Sequence, residues 1–295
     1  MTQPFQRVLL VSKYRDPSVL PGLRKLRDFI QSLGFEVFIE TQCSHEINDD
    51  LGLQRLAFAE TRPETDLVIA IGGDGTLLGT ARNTASNGVA ILGINQGRLG
   101  FLADLSIDQM ETALPPILEG HYLQDKRRVL HAELWRDHSQ IHSGLAINEI
   151  FIHKGCGESM IEMGVHMDGR FVYTQRADGV IIATPTGSTA YALSAGGPIL
   201  SPGLEALLLV PICPHTLTAR PLVVADSVQI RVRLTACRQP AALSLDSHNS
   251  VPLTAGDEIL IRRAPCTAHF IHPEEKNFFQ ILREKLHWAE SPGED

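Results

Sequence analysis

At 295 residues, with 43% hydrophobic and 20% charged side chains, the chain can form one large domain or two ordinary ones, and it has a globular rather than a disordered composition. A formal net charge of -8, with no basic cluster longer than Lys126-Arg127-Arg128, argues against a nucleic-acid partner. Five dispersed cysteines (Cys43, Cys156, Cys213, Cys237 and Cys266) suit neither a disulfide framework nor a zinc site. No stretch reaches the ~20 apolar residues of a membrane span, and residues 1–7 carry no signal-peptide pattern. A cytoplasmic protein without membrane contact is expected.

The elements follow in chain order. Residues 8–11 form a short apolar run. Leu23, Leu26, Ile30 and Leu33 then fall at helical spacing, and Gly34 stands where a C′ glycine belongs. Residues 35–39 read as a second strand. After Asp66, Leu67-Val68-Ile69-Ala70-Ile71 is continuously apolar, as in a strand buried on both faces of a parallel sheet. It runs into Gly72-Gly73-Asp74-Gly75-Thr76. Residues 76–85 read as a helix with Leu77, Leu78, Ala81 and Ala85 on one side, and residues 89–94 as the next strand. This is a β-α-β unit with a glycine loop at its first turn.

Beyond about His121 the period changes to two, as in Val228, Ile230, Val232, Leu234 and again Ile259, Ile261. Asp168-Gly169 marks a tight hairpin turn. Helical spacing returns at Phe278, Ile281, Leu282 and Leu286. The expected fold is an N-terminal Rossmann-like α/β domain carrying the glycine loop (residues 1–125), a β-rich, sandwich-like ligand domain (126–273), and a C-terminal helical segment (274–295) packed back on the first.

Three clusters carry chemistry. The glycine loop ends a buried strand and opens a helix, where unpaired N–H groups and the positive dipole end suit a phosphate. A carboxylate there, Asp74, repels phosphate unless it binds a metal or takes a proton from an attacking hydroxyl. The spacing is neither the dinucleotide fingerprint nor a Walker A loop. The other reading of the loop is a turn in which Asp74 caps the helix.

Second, Thr184-Pro185-Thr186-Gly187-Ser188-Thr189-Ala190-Tyr191 crowds hydroxyls and N–H groups into one turn beside an aromatic ring. It reads either as a ligand loop or as a turn with locally satisfied hydroxyls. Third, Asn148-Glu149 interrupts an apolar run, where burial without partners is costly. The pair binds a ligand or ends a strand in solvent. Arg176 and Asp178, two apart before an apolar strand, share a face if both are in one strand. His269 and His272 form no spaced metal set.

These motifs together resemble the bacterial NAD kinases over nearly the whole chain. The resemblance rests on Gly72-Gly73-Asp74-Gly75-Thr76, Gly93-Ile94-Asn95, Gly97-x-Leu99-Gly100-Phe101-Leu102, Asn148-Glu149 and Asp178-Gly179. It continues through residues 184–191, Ser194-x-Gly196-Gly197-Pro198, and Pro214-His215-Thr216-Leu217 with Arg220-Pro221-Leu222. It implies ATP-dependent phosphorylation of the 2′-hydroxyl of the adenosine ribose of NAD, with Mg²⁺. Asp74 is then the proton acceptor, and Gly72, Gly73, Gly75 and Thr76 hold the triphosphate. Asn148 and Glu149 contact ribose hydroxyls, and Asp178 lies towards the nicotinamide. Thr189, Ala190, Tyr191, Leu193 and Ser194 line the adenine pocket, with the part of Ala192 left open. The family also implies a homo-oligomer, dimer or tetramer, whose neighbouring subunit helps build the pocket.

Some positions vary within the family. Ser159 stands where some relatives have a substrate-contacting histidine, and His248 where many have glutamine. Arg176 is expected to bind pyrophosphate and tune the choice between NAD and NADH. The first motif is shared with lipid kinases, so a lipid kinase is the alternative enzyme. A non-catalytic NAD sensor is the alternative of another class.

Overall fold

The computed structural model describes residues 5–13, 16–97, 100–103 and 105–288. The chain divides into two compact units, one of residues 1–126 with 268–295 and one of residues 127–267.

The first unit is α/β. Its strands are β1 (Arg7–Ser12), β2 (Glu36–Glu40), β3 (Gln54–Leu56), β4 (Asp66–Ile71), β5 (Ala90–Asn95) and β6 (Leu105–Ser106). Its helices are α1 (Leu20–Ser32), α2 (Thr41–Ile47), α3 (Asp74–Thr84) and α4 (Met110–Leu118). The sheet order β3-β2-β1-β4-β5 is parallel throughout, the order of a doubly wound nucleotide-binding fold. Every residue of β4 is buried, which accounts for its unbroken apolar run. Leu23, Leu26 and Ile30 of α1 join the core.

Leu33, the last residue of that stripe, is 37% exposed because it is the C-cap. There Gly34 turns left-handed at φ +87°. The Gly34 N–H then bonds Gln31 O and the Phe35 N–H bonds Ile30 O, the paired bonds of a Schellman end.

The second unit is a two-sheet β structure. Its strands are β7 (Leu123–Arg136, entering from the first unit), β8 (Ser139–Ala146), β9 (Glu149–His153), β10 (Ile161–Met167), β11 (Arg170–Ala177), β12 (Gly179–Ala183), β13 (Ala206–Ile212), β14 (Leu222–Ala225), β15 (Ile230–Ala236), β16 (Ala241–Leu245), β17 (His248–Leu253) and the long β18 (Glu258–His272). One sheet runs β14-β13-β12-β9-β16-β17, and the other is built from β11, β10, β15, β18, β7 and β8. The apolar core takes side chains from both sheets. β15 alternates buried and exposed, as its period-two sequence requires.

β12 is buried on both sides. Val180 and Ile182 enter the main core, while Ile181 and Ala183 pack with Ala192, Leu200, Leu208 and Val210. That second cluster fixes the short helix α5 (Tyr191–Ser194) and its preceding turn against the sheet. The β10–β11 turn at Asp168 (φ +48°) and Gly169 (φ +77°) is the tight hairpin its sequence indicates.

The last residues of β18 return to the first unit. His269, Phe270 and Ile271 pair in parallel with Ala90, Ile91 and Leu92 of β5. There α6 (Phe278–Leu286) follows, capped by the Asn277 side chain, which accepts the N–H groups of Phe279 and Gln280.

Candidate functional site

In the first unit, β4 delivers the glycine loop to the N-terminus of α3. Gly72 is fixed by its N–H, which donates to Ile94 O on β5 at 2.9 Å. A Cβ on Gly72 would collide with the Thr76 side chain, whereas a Cβ on Gly73 or Gly75 would meet nothing within 4 Å. Gly73 has an ordinary φ of -92°. The open space beside Gly73 and Gly75, rather than a left-handed backbone, is therefore what these two glycines provide.

Asp74 is the first residue of α3, and its N-cap, Gly73, makes no side-chain cap. The Asp74 carboxylate reaches instead to the loop after β5. Oδ2 accepts the Phe101 N–H at 2.9 Å, and Oδ1 accepts those of Leu102 (3.0 Å) and Ala103 (3.4 Å). The helix-cap reading of Asp74 is thus excluded. Gly100 is what permits this approach, because a Cβ there would run into the carboxylate. Gly100 also closes the loop by donating to Ala103 O at 2.9 Å. Arg98 and Leu99 lie outside the described residues.

In the second unit, Glu149 opens β9 and is 3% exposed, so its reading as a solvent-exposed strand end does not hold. Its Oε2 has no hydrogen-bond partner. Oε1 has only the Ser247 hydroxyl at 3.5 Å. Burial first, and then the Asp246 carboxylate, push its pKa up to about 7, against a lowering by Ser247. Asn148 is half-buried beside it.

The threonine turn packs on the same segment. Thr184 Oγ1 donates to Ile147 O at 2.6 Å, and the Thr184 N–H to Asn148 O at 2.8 Å. The Ser188 hydroxyl donates to Pro185 O and the Thr189 hydroxyl to Thr186 O. Arg127 donates to Thr186 Oγ1 at 3.2 Å. The Ser188 and Thr189 hydroxyls are engaged within the turn. Those of Thr184 and Thr186 meet Ile147 and Arg127 from distant parts of the chain. The outward-facing groups are Tyr191 and Ser194. Tyr191 is 43% exposed, with its ring edge-on to Phe151 at 5.3 Å. Ser194 is exposed, Ala190 and Leu193 are half-buried, and Ala192 is buried in the core.

Asp178 and Arg176 do not share a strand face. β11 ends at Ala177 and β12 begins at Gly179, so the chain changes sheet at Asp178. The Asp178 N–H donates to Ile212 O. Its carboxylate pairs with Lys154 Nζ at 2.9 Å, while Arg176 is exposed. Ser159 is half-buried in the loop between β9 and β10. The His248 side chain lies outside the described residues.

Sequence reasoning gave no role to Gly100, to the amides of residues 101–103, to Asp246 or to Lys154. Gly100 and Phe101 do stand in the quoted motif, and Asp246 stands two residues before His248. In the side-chain contacts of these amides, of Asp246 and of Lys154 the partners lie 24 to 99 residues away, beyond the reach of local pattern.

The chain matches the models of the ATP-NAD kinase N-terminal domain over residues 8–122 and the ATP-NAD kinase C-terminal domain over residues 147–273. It is 75% identical to an NAD kinase of Acidithiobacillus ferrooxidans over 295 residues, the whole of both chains. It is 42% identical to one of Escherichia coli over 289 residues, covering 98% of this chain and 99% of that one.

Among solved structures, yeast NADH kinase complexed with NADH superposes with a TM-score of 0.85 at 28% identity, covering 98% of this chain and 90% of that one. An NAD kinase from Archaeoglobus fulgidus in complex with ATP gives 0.74, also at 28% identity, covering 96% and 99%. The chain belongs to the ATP-NAD kinase family and is an ATP-dependent NAD phosphotransferase.

Proposed function

We propose that the acceptor is the 2′-hydroxyl of the adenosine ribose of NAD and that Asp74 takes its proton as the γ-phosphoryl group of ATP is transferred. The observation that carries this reading is the setting of the Asp74 carboxylate. Its hydrogen bonds to the 101–103 amides fix it in place. A carboxylate offers about four lone-pair sites, and Oδ2, with one N–H bound, keeps room for a hydroxyl. Phosphoryl transfer needs mainly positioning and charge neutralisation. The open flank at Gly73 and Gly75 admits phosphate oxygens to the N-terminus of α3.

Among the described residues no three of His, Cys, Asp or Glu group closely enough to hold a metal. In this reading Mg²⁺ enters with ATP, since it keeps waters and is held largely through substrate phosphates. MgATP is the substrate, and Asp74 keeps its role as proton acceptor. The ion supplies neutralisation of the phosphate charge.

In this reading Asn148 and Glu149 bind ribose hydroxyls. Tyr191, whose ring is exposed, stacks on adenine, with Thr189, Ala190, Leu193 and Ser194 around it. Asp178, already paired with Lys154, serves the nicotinamide end. A cytoplasmic homo-oligomer completes the reading, and five free cysteines suit a reducing compartment.

The test is turnover of purified protein with NAD or NADH and ATP, with and without Mg²⁺, and assignment of the phosphorylated position. NADP formed only with the divalent ion is expected. A product phosphorylated on another hydroxyl would overturn the assignment of the acceptor.

A further inference from the structure

We propose that Asp246 is a positioning residue for the dinucleotide, clamping the backbone of Ile147, Asn148 and Glu149 so that the Glu149 carboxyl meets the ligand in one fixed place. The proposal rests on the reading of Asn148 and Glu149 as contacts to the ribose.

Asp246 lies in the β16–β17 turn. Its Oδ1 accepts three successive N–H groups, from Ile147 (3.0 Å), Asn148 (2.7 Å) and Glu149 (3.1 Å), and Oδ2 also accepts that of Ile147 at 2.9 Å. In return the Asp246 N–H donates to Glu149 O at 2.9 Å. Successive amides that converge this way form an anion-binding concavity. Here the protein's own carboxylate, 7% exposed, fills it. That concavity is therefore a fixture of the fold and not a seat for substrate phosphate.

The turn that presents Asp246 is itself constrained. Asp246 and Ser247 both have positive φ, +49° and +56°, where Asn-Gly would be the easy choice. Non-glycine residues are held there only by their surroundings. On the other side of the clamped segment, Thr184 holds the carbonyls of Ile147 and Asn148. Gly187 packs so closely on the Asn148 carbonyl that a Cβ would collide with it.

Between these two supports stands Glu149, buried, with Oε2 unpartnered. A buried polar atom without a partner is costly, and a ligand hydroxyl would repay the cost. Among the described residues, the groups facing Glu149 are Asp246 and Ser247 from the β16–β17 turn and Ala183, its register partner on β12. Asp246 is the charged one, and it helps burial to keep the carboxyl protonated towards neutral pH.

The variants Asp246→Asn, Asp246→Ala, Glu149→Gln and the double variant Asp246→Ala with Glu149→Gln separate the roles. Asn keeps an oxygen for the three amides and drops the charge, whereas Ala drops both. The readouts are KM for NAD, KM for ATP and kcat, followed across about pH 5 to 9.

Asp246→Ala is expected to raise KM for NAD about tenfold, as for a lost anchoring hydrogen bond, with KM for ATP little changed and no further rise in the double variant. Asp246→Asn is expected to move the ionisation in the KM profile to lower pH. Additive effects of the two positions on KM for NAD would overturn the proposal. If Asp246→Ala fails to fold, Asp246→Glu decides in its place: it keeps the carboxylate but displaces it by a methylene, and an unchanged KM for NAD would overturn the proposal. If Glu149→Gln leaves KM for NAD unchanged, the ribose-contact reading fails first, and the inference falls with it.

Discussion

Asp74 and Asp246 are each tied to the backbone N–H groups of three successive residues far away in sequence, Asp74 to residues 101–103 and Asp246 to residues 147–149. Their surroundings differ. Asp74 is half-buried beside glycines that face open space, and it divides its bonds between both oxygens. Asp246 is buried and gathers all three N–H groups on one oxygen. The same bonding pattern thus leaves one carboxylate available to an incoming hydroxyl and commits the other to holding the chain in shape. What distinguishes them is the unfilled space next to the carboxylate.

The largest effect that would sharpen this contrast is expected from Asp74→Asn. Loss of a general base lowers kcat at least about 10²-fold, and the new amide nitrogen also faces N–H donors of residues 101–103. Near-normal turnover in a folded protein would remove Asp74 from the chemistry.

Next comes pH. The folded pKa of Glu149, about 7, lies above the ordinary glutamate value of about 4.3, so the folded chain keeps a proton that the unfolded chain has lost. The stability from this group is complete below about pH 4 and lost as pH rises through 7, on the order of 4 kcal/mol at most. Glu149→Gln should therefore flatten the decline of Tm between about pH 5 and 8. An unchanged slope would mean that the carboxyl is not held protonated.

Two glycine substitutions then set the regions side by side. In Gly100→Ala the obstacle is the far end of the Asp74 side chain, which can give way. The expected outcome is a loss in kcat of about tenfold or more, with little change in Tm. In Gly187→Ala the obstacle is the backbone carbonyl of Asn148. That should cost about 1–3 kcal/mol of stability and raise KM for NAD. Equal effects of the two substitutions on Tm would break the comparison.

The smallest effect is expected from Lys154→Gln. Its pair with Asp178 is partly exposed, at 27% for each side chain, so denaturant unfolding should show a change below about 1 kcal/mol.

The β4-α3-β5 unit was legible because its signals are local. An all-apolar strand, a glycine loop and a helical stripe of Leu77, Leu78 and Ala81 follow one another without a gap. α4 was not legible, since Pro115 and Pro116 lie inside it and read as breakers. The helix persists because Met110, Leu114, Ile117 and Leu118 bury one face, and that burial outweighs propensity. At the site, the identity of Asp74 was readable but its partners were not. Whether Glu149 is buried depends on a turn almost a hundred residues later, and no local pattern encodes that meeting.

β18 gives its first residues to one unit and its last to the other, so residues 269–271 cover the Ala90–Leu92 edge of β5. During synthesis that edge has no neighbour until nearly the whole chain has left the ribosome. A nascent chain ended near residue 126 therefore displays an unpaired parallel strand edge, the kind of surface that recruits other chains. For this protein, premature termination or a slow second half adds an exposed strand edge to the loss of the second unit's ligand residues.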